Sequence, residues 1–244
     1  MNEKEKYLFD LQGFLVIPNV LTAEQLTKLN KAIDENADIA PEERKSFMFW
    51  AEQTFRDLID DPKTEPYLTE ILGEEYRLDH EYSIIHQKGS PPLGLHGGGV
   101  PYDPGQYYTF QNGKMYSGLT VVSYALTDIG PEDGGFCCIP GSHKSNYRTP
   151  TDYKNYSEIG PVVHIPQRAG DVLIFSEALT HGTFAWQAAH ERRSLLYKYS
   201  PAMISWAPFN RSQELLDMLT DRQKVIVQTP ASLGYRYFGQ SKKK

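Results

Sequence analysis

The period of hydrophobic and polar positions changes near residue 75. Before it, apolar residues recur every three to four positions. In "VLTAEQLTKLNKAIDEN" Leu26, Leu29 and Ile33 fall on one helical face behind Thr22 and Gln25 in capping-box spacing, which predicts a helix. A second helix is expected from Pro41 through "EERKSFMFWAEQTFRDLIDD". A third runs from Glu65 through Tyr67, Leu68, Ile71 and Leu72 to Gly73, a residue suited to a C-terminal cap. All three are expected to pack against a sheet.

From Tyr76 onward the period shortens toward two, in β-branched and aromatic runs. "EYSIIHQ", "SGLTVVSYAL", "GGFCCIP", "VVHIP", "GDVLIFS" and "SLLYKYSP" are separated by clusters of Gly, Pro, Asp and Asn. Short strands at that spacing predict a sandwich, jelly roll or barrel. Near the C-terminus "NRSQELLDMLTDRQ" predicts a short helix on Leu215, Leu216 and Leu219. The pattern as a whole predicts a mainly β protein with flanking α-helices. Its helical front covers about 20–73, its strand core about 76–201, and a C-terminal helix and tail 210–244. With 244 residues and no internal repeat or linker, it is read as one domain.

Charge and composition narrow the partners. A net charge of −6 argues against nucleic acid, which requires a concentrated basic face, and the only basic run is the tail Lys242 to Lys244. The start "MNEKEKYLFD" lacks the cationic flank and apolar core of a secretory leader. No run of eighteen apolar residues occurs, so a cytoplasmic protein without membrane spans is expected. Cys137 and Cys138 are adjacent, point to opposite faces of a strand, and read as reduced packing residues.

Histidine carries the candidate chemistry. His143, in the polar turn "PGSHKS", and His80, His164 and His190 have the surroundings of ordinary hydrogen-bonding residues. His181 differs, because "GDVLIFSEALTHGT" delivers it just beyond an apolar strand. Eleven residues later Arg192 begins the next strand in "HERRSLLYKYSP". Two neighbouring antiparallel strands would aim the imidazole and the guanidinium into one cavity, where a forked, permanent cation suits a carboxylate. His96 lies in "LHGGGVPYDPG", a stretch that reads either as a ligand loop or as turn residues alone.

These residues resemble the phytanoyl-CoA dioxygenase-like family of iron(II)/2-oxoglutarate oxygenases. The similarity runs from "FDLQGFLVIPNVLTAEQL" through "ALTDIGPEDGGFCCIPGSHKS" to "GDVLIFSEALTHGT" and "RRSLLYKYSP". It implies a double-stranded β-helix, the cupin-like jelly roll, that binds Fe(II) and 2-oxoglutarate and uses O₂ to oxidise a small-molecule substrate. By position, His96 matches the family's proximal iron ligand and His181 the distal one. Arg192 matches the arginine that holds the far carboxylate of 2-oxoglutarate, Arg193 its outward neighbour, and His86 a residue near the cosubstrate.

The chain departs from this family at one place. The proximal motif is His-x-Asp/Glu, but here it reads His96-Gly97-Gly98, which leaves the facial triad of two histidines and a carboxylate incomplete. Three readings stay open. Another carboxylate closes the site, either Glu177, four residues before His181, or Asp103 in "PYDPG". Alternatively chloride takes the vacated position, as in iron halogenases of this fold that carry Gly or Ala there. In the third reading the cavity binds a ligand or another metal without catalysis. The aromatic loop Tyr102, Tyr107, Tyr108 and Phe110, with Trp186 and Trp206, is a candidate rim of the mouth.

Overall fold

The computed structural model describes residues 1–37, 52–208 and 211–231. Its centre is two antiparallel sheets. Strands β1 (Phe14–Ile17), β2 (Arg77–His86), β6 (Thr120–Ala125), β9 (Val172–Ser176) and β11 (Arg192–Ser200) form one sheet in the order β1-β9-β6-β11-β2. The other contains β3 (Leu93–His96), β7 (Gly135–Cys138), β8 (Val163–His164) and β10 (His181–Phe184) in the order β3-β10-β7-β8. A separate hairpin joins β4 (Tyr108–Gln111) to β5 (Lys114–Ser117) through Asn112 and Gly113, both at positive φ as a tight two-residue turn requires. The expected jelly roll is the observed fold.

Two cores follow from the alternation of side chains along the strands. In the five-stranded sheet, Tyr124, Ile174, Leu195, Tyr197 and Tyr199 face outward into a cluster with Leu29, Phe55, Leu58, Leu68 and Ile71. Val121, Leu173, Phe175 and Leu196 face inward, between the sheets, against Phe136 and Cys138. Each strand is therefore apolar on both faces, which is why its sequence reads as a continuous hydrophobic run. The cysteines behave as expected, both free and buried, with Cys138 in the inter-sheet core and Cys137 on the opposite side with Leu95 and Val162.

The helix behind Thr22 spans Ala23–Glu35 and carries the reciprocal capping box with Gln25. The third expected helix is Glu65–Leu72, with Gly73 at φ 91° as its cap. Of the second, only Gln53–Arg56 is helical among the described residues, and the expected start at Pro41 lies outside them. Two elements depart from expectation. An additional N-terminal helix, α1 (Glu3–Gln12), is capped by Asn2 and buries only Phe9, so its apolar stripe is weak in the sequence. The single C-terminal helix is instead two, Gln213–Asp217 and Asp221–Ile226, because Ser212 and Thr220 each cap a new N-terminus. Residues 232–244 of the expected tail lie outside the described residues. No helix among the described residues is long and apolar enough to cross a membrane.

The segment after β11 is pinned by a buried carboxylate. Asp79 accepts hydrogen bonds from Arg77 (2.8 Å), from the backbone N–H groups of Trp206 (2.8 Å) and Ala207 (2.9 Å), and contacts His80 Nδ1 at 2.6 Å. Burial alone would raise the Asp79 carboxyl, but the hydrogen bonds from His80, the two backbone groups and Arg77 outweigh it and hold it at about 2. A depressed carboxyl contributes stability above its unfolded-state range and loses it as the acid form appears. Asp79→Asn is therefore expected to cost about 2 kcal/mol at neutral pH, a deficit that narrows as pH falls from about 4 toward 2. Urea unfolding of both proteins across that range checks this, and a deficit independent of pH would contradict it.

Candidate metal and cosubstrate site

The antiparallel pairing of β10 with β3 sets His181 directly opposite His96. Their rings lie 4.3 Å apart between centroids. His181 Nδ1 is 2.6 Å from the Leu179 carbonyl and His96 Nδ1 is 3.2 Å from that of Gly94. A carbonyl only accepts, so each Nδ1 carries the proton and each Nε2 presents a lone pair, the tautomer a metal requires. Burial, against the opposing attraction of Glu177, holds His181 down at about 4, so its ring is neutral at physiological pH.

Glu177 completes this group. It follows β9, at the corner where the chain leaves the five-stranded sheet for β10 in the other, and the corner is closed by Leu179 N–H donating to the Ser176 carbonyl. The side chain turns inward and is almost wholly buried. Its Oε2 is 3.9 Å from His181 Nε2. Ligand atoms of His96, Glu177 and His181 all lie within 4.8 Å of one another, the one such cluster among the described residues. Burial would raise the Glu177 carboxyl, but His181, Lys198 and His96 together bring it below the usual range, so it is ionised. Two imidazoles and one carboxylate are a donor set suited to ferrous iron.

The glycines after His96 have separate roles. Gly97 sits at φ 75°, and a Cβ there would lie 2.6 Å from the Leu179 carbonyl and 2.7 Å from that of Glu177. Only glycine lets the His96 loop press against the corner that carries Glu177. Gly98, at φ 106°, donates to the Ala178 carbonyl, and a Cβ on it would point at Thr180 Oγ1 (3.0 Å) and Thr149 Oγ1 (3.7 Å). Threonine hydroxyls, and no imidazole, therefore lie within 4 Å of that Cβ position.

Arg192 lies across the sandwich, on β11 in the five-stranded sheet. His181 and Arg192 therefore belong to different sheets and not to neighbouring strands, which corrects the sequence expectation. They still face a common interior, because β11 directs Arg192 toward Gly135 on β7, whose missing side chain leaves room for the guanidinium. Arg192 is 2% exposed, and its Nε and Nη1 have no hydrogen-bond partner. Burial lowers it to about 10, partly offset by Cys137 and Tyr82, so it remains cationic. His86 is its direct cross-strand partner and its Nδ1 is also unpartnered. Burial and then the neighbouring guanidinium depress His86 below the usual imidazole range. An unpaired buried guanidinium beside a neutral imidazole is costly without an anion, so these orphan atoms fit a carboxylate ligand. Arg193 points outward to Asp34, Glu191 and Asn30.

Other expected residues take structural roles. Asp103 is a turn former, accepting from Gly105 N–H at 2.7 Å. Trp186 is fully buried and donates to the His190 carbonyl, so it does not rim the mouth. Trp206, held by Asp79, is half-exposed and lies against Gly105. Gly105 in turn accepts from Leu119 N–H, and Leu119 accepts from Glu177 N–H, which ties the loop of Tyr102 and Tyr107 to the Glu177 corner. Tyr108 donates to Asp10 and packs on His143, whose Nε2 meets the Asp10 carbonyl. The sequence reading missed Lys198, whose Nζ lies 2.7 Å from Glu177 Oε1. Its signal was available: Arg192, Ser194, Leu196 and Lys198 alternate onto one face of β11.

The phytanoyl-CoA dioxygenase family model matches residues 9–194, which include His86, His96, Glu177, His181 and Arg192. The chain belongs to the phytanoyl-CoA dioxygenase family. It is a 2-oxoglutarate-dependent non-haem iron enzyme. Solved relatives agree. HygX from Streptomyces hygroscopicus with nickel and 2-oxoglutarate bound is 26% identical, covering 88% of this chain and 94% of its own, at a TM-score of 0.77. The same protein with nickel, 2-oxoglutarate and hygromycin B bound is 27% identical over the same shares, at 0.76. The carbocyclase SnoK from nogalamycin biosynthesis, 20% identical over 83% of this chain and 85% of its own, shares the fold at 0.64. No curated protein matches the sequence.

Restoring the family carboxylate is a direct check on the Gly98 geometry. Gly98→Asp is expected to cost about 1–2 kcal/mol of stability through its left-handed backbone, and to bring no gain in divalent-metal affinity. Thermal melts and cobalt(II) titration measure both, and tighter binding by the variant would show that residue 98 does reach the metal.

Proposed function

We propose that His96, Glu177 and His181 hold the ferrous iron of this enzyme, that Arg192 with His86 binds 2-oxoglutarate, and that the reaction is hydroxylation of a small-molecule C–H bond. The inward turn of Glu177 carries the proposal, because it supplies, from a different point of the chain, the carboxylate that the His96-Gly97-Gly98 motif lacks. Iron bound there with 2-oxoglutarate and O₂ supplies the oxidising power: one oxygen atom enters succinate as CO₂ leaves, and the other enters the substrate C–H bond.

The chain's own residues bind and orient. The Leu179 and Gly94 carbonyls fix which imidazole nitrogen faces the metal. Arg192 neutralises the far carboxylate of the cosubstrate at the other end of the interior, and its rigid fork sets the direction of the keto acid. Phe136 and Phe175 pack on the His181 ring at centroid distances of 5.8 and 4.8 Å, and with Leu173 and Leu196 they form a dry wall that limits stray water. A groove of about 880 Å³, lined in part by Tyr82, Ile84, Leu93 and Thr183, opens between β2 and β3 and reaches His86. On the other side, Tyr102, Tyr107 and Trp206 offer aromatic faces to a substrate beside the Glu177 corner.

Halogenation has less support. The direction vacated at Gly98 leads to Thr180 and Thr149, and Glu177 stands ready as the third donor, so no chloride is called for. A purely binding role is disfavoured by the family match and by relatives solved with iron or with nickel and 2-oxoglutarate bound.

Succinate release is the test. Anaerobically loaded protein given 2-oxoglutarate and O₂ is expected to form succinate slowly without substrate, and Arg192→Met and Glu177→Ala are each expected to reduce the rate at least about 100-fold. Arg192→Met acts through the KM for 2-oxoglutarate and Glu177→Ala through metal affinity. Undiminished iron affinity in Glu177→Ala would overturn the ligand assignment. Absence of succinate from iron-loaded wild-type protein, with and without candidate substrates, would favour a binding role.

A further inference from the structure

A lysine is among the costliest side chains to bury, and a packing role on β11 would be served better by Leu or Met. Lys198 is nevertheless turned to the interior, its side chain 12% exposed, on the same face of the strand as Arg192, Ser194 and Leu196. Its amine lies over the ring of Tyr82, 5.2 Å from the centroid, and 2.7 Å from Glu177 Oε1. The two oxygens of Glu177 thus have different neighbours. Oε2 faces His181 Nε2, and Oε1 faces the ammonium.

We propose that Lys198 is the positioning residue for the Glu177 carboxylate, holding Oε1 so that Oε2 alone is offered to the metal. This rests on the assignment of Glu177 as a ligand. A carboxylate arriving from a strand corner on a Glu side chain has one more rotatable bond than the Asp of the ordinary motif, and more freedom to lose on binding. The ammonium fixes that rotamer before the metal arrives. By occupying the second oxygen it also keeps the carboxylate from chelating through both, which leaves coordination positions free for the keto acid and O₂. Tyr82 shields the amine from the groove side, so the pairing persists in a largely dry setting.

Cobalt(II) is the probe, bound anaerobically to wild-type protein and to Lys198→Met, Lys198→Arg and Glu177→Gln, with affinity from calorimetry and ligand geometry from the visible absorption bands. Lys198→Met is expected to weaken cobalt binding about 10-fold or more and to alter the bands, while its KM for 2-oxoglutarate stays near wild type. Lys198→Arg, which keeps the charge, is expected to recover most of the affinity and the wild-type bands. Wild-type affinity and bands in Lys198→Met would overturn the proposal, as would an arginine variant as impaired as the methionine one. If Lys198→Met does not fold, the arginine variant decides alone, by its affinity and bands. Glu177→Gln separates the two levels of inference. If it binds cobalt as wild type does, the ligand assignment fails; if it is impaired and Lys198→Met is not, only the role of Lys198 fails.

Discussion

A carboxylate taken out of water must be matched by positive charge or hydrogen bonds, and the interior of this protein is arranged around one such group. Glu177 is almost fully buried at the corner between the two sheets, where an isolated carboxylate would protonate. It stays ionised because the Lys198 ammonium lies beside Oε1, while the imidazoles of His96 and His181 stand on its other side. A divalent cation between those imidazoles and the free oxygen would complete the compensation. The two imidazoles and that oxygen present donor atoms within 4.8 Å of one another, and the strand pairings that bring them together are the pairings that define the fold.

Each layer contributes a different part. The four-stranded sheet brings His96 and His181 opposite each other through one antiparallel pairing. The five-stranded sheet supplies Arg192 and His86 as cross-strand partners, and Lys198 six residues along from Arg192. The chain crosses between the sheets at residues 177–180, and that crossing carries Glu177. Gly97 is what permits the two contributions to meet, since any side chain there would collide with the carbonyls of the corner. On the proposed assignment, the family's usual carboxylate position and this one differ in where the chain supplies the charge, while the donor set stays the same.

Much of this was legible in the sequence, for identifiable reasons. The long strands β2, β6, β9 and β11 are dense in β-branched and aromatic residues, and Ala23–Glu35 announces itself by its capping box. His181 and Arg192 stood out through their place at strand ends. What escaped had weak local signals or depended on distant contacts. Strands β3 and β10, "LGLH" and "HGTF", are four residues long and contain glycine, so pairing alone makes them strands. The β4–β5 hairpin did carry a signal, the Asn112-Gly113 turn. Trp186 was expected near the mouth because an aromatic beside the site is ambiguous until its burial is known. The sequence offered Glu177 and Asp103 without deciding between them. Whether a glutamate at a strand exit turns inward depends on Lys198 and on the close approach at Gly97, neither of which has a local signature.

The most direct measurement is a crystal structure of the protein grown anaerobically with iron(II), 2-oxoglutarate and chloride present. The account predicts His96 Nε2, His181 Nε2 and one oxygen of Glu177 as the protein donors, with the far carboxylate of 2-oxoglutarate on Arg192. Iron held by the two histidines alone, with Glu177 turned away and chloride or water in its place, would contradict it.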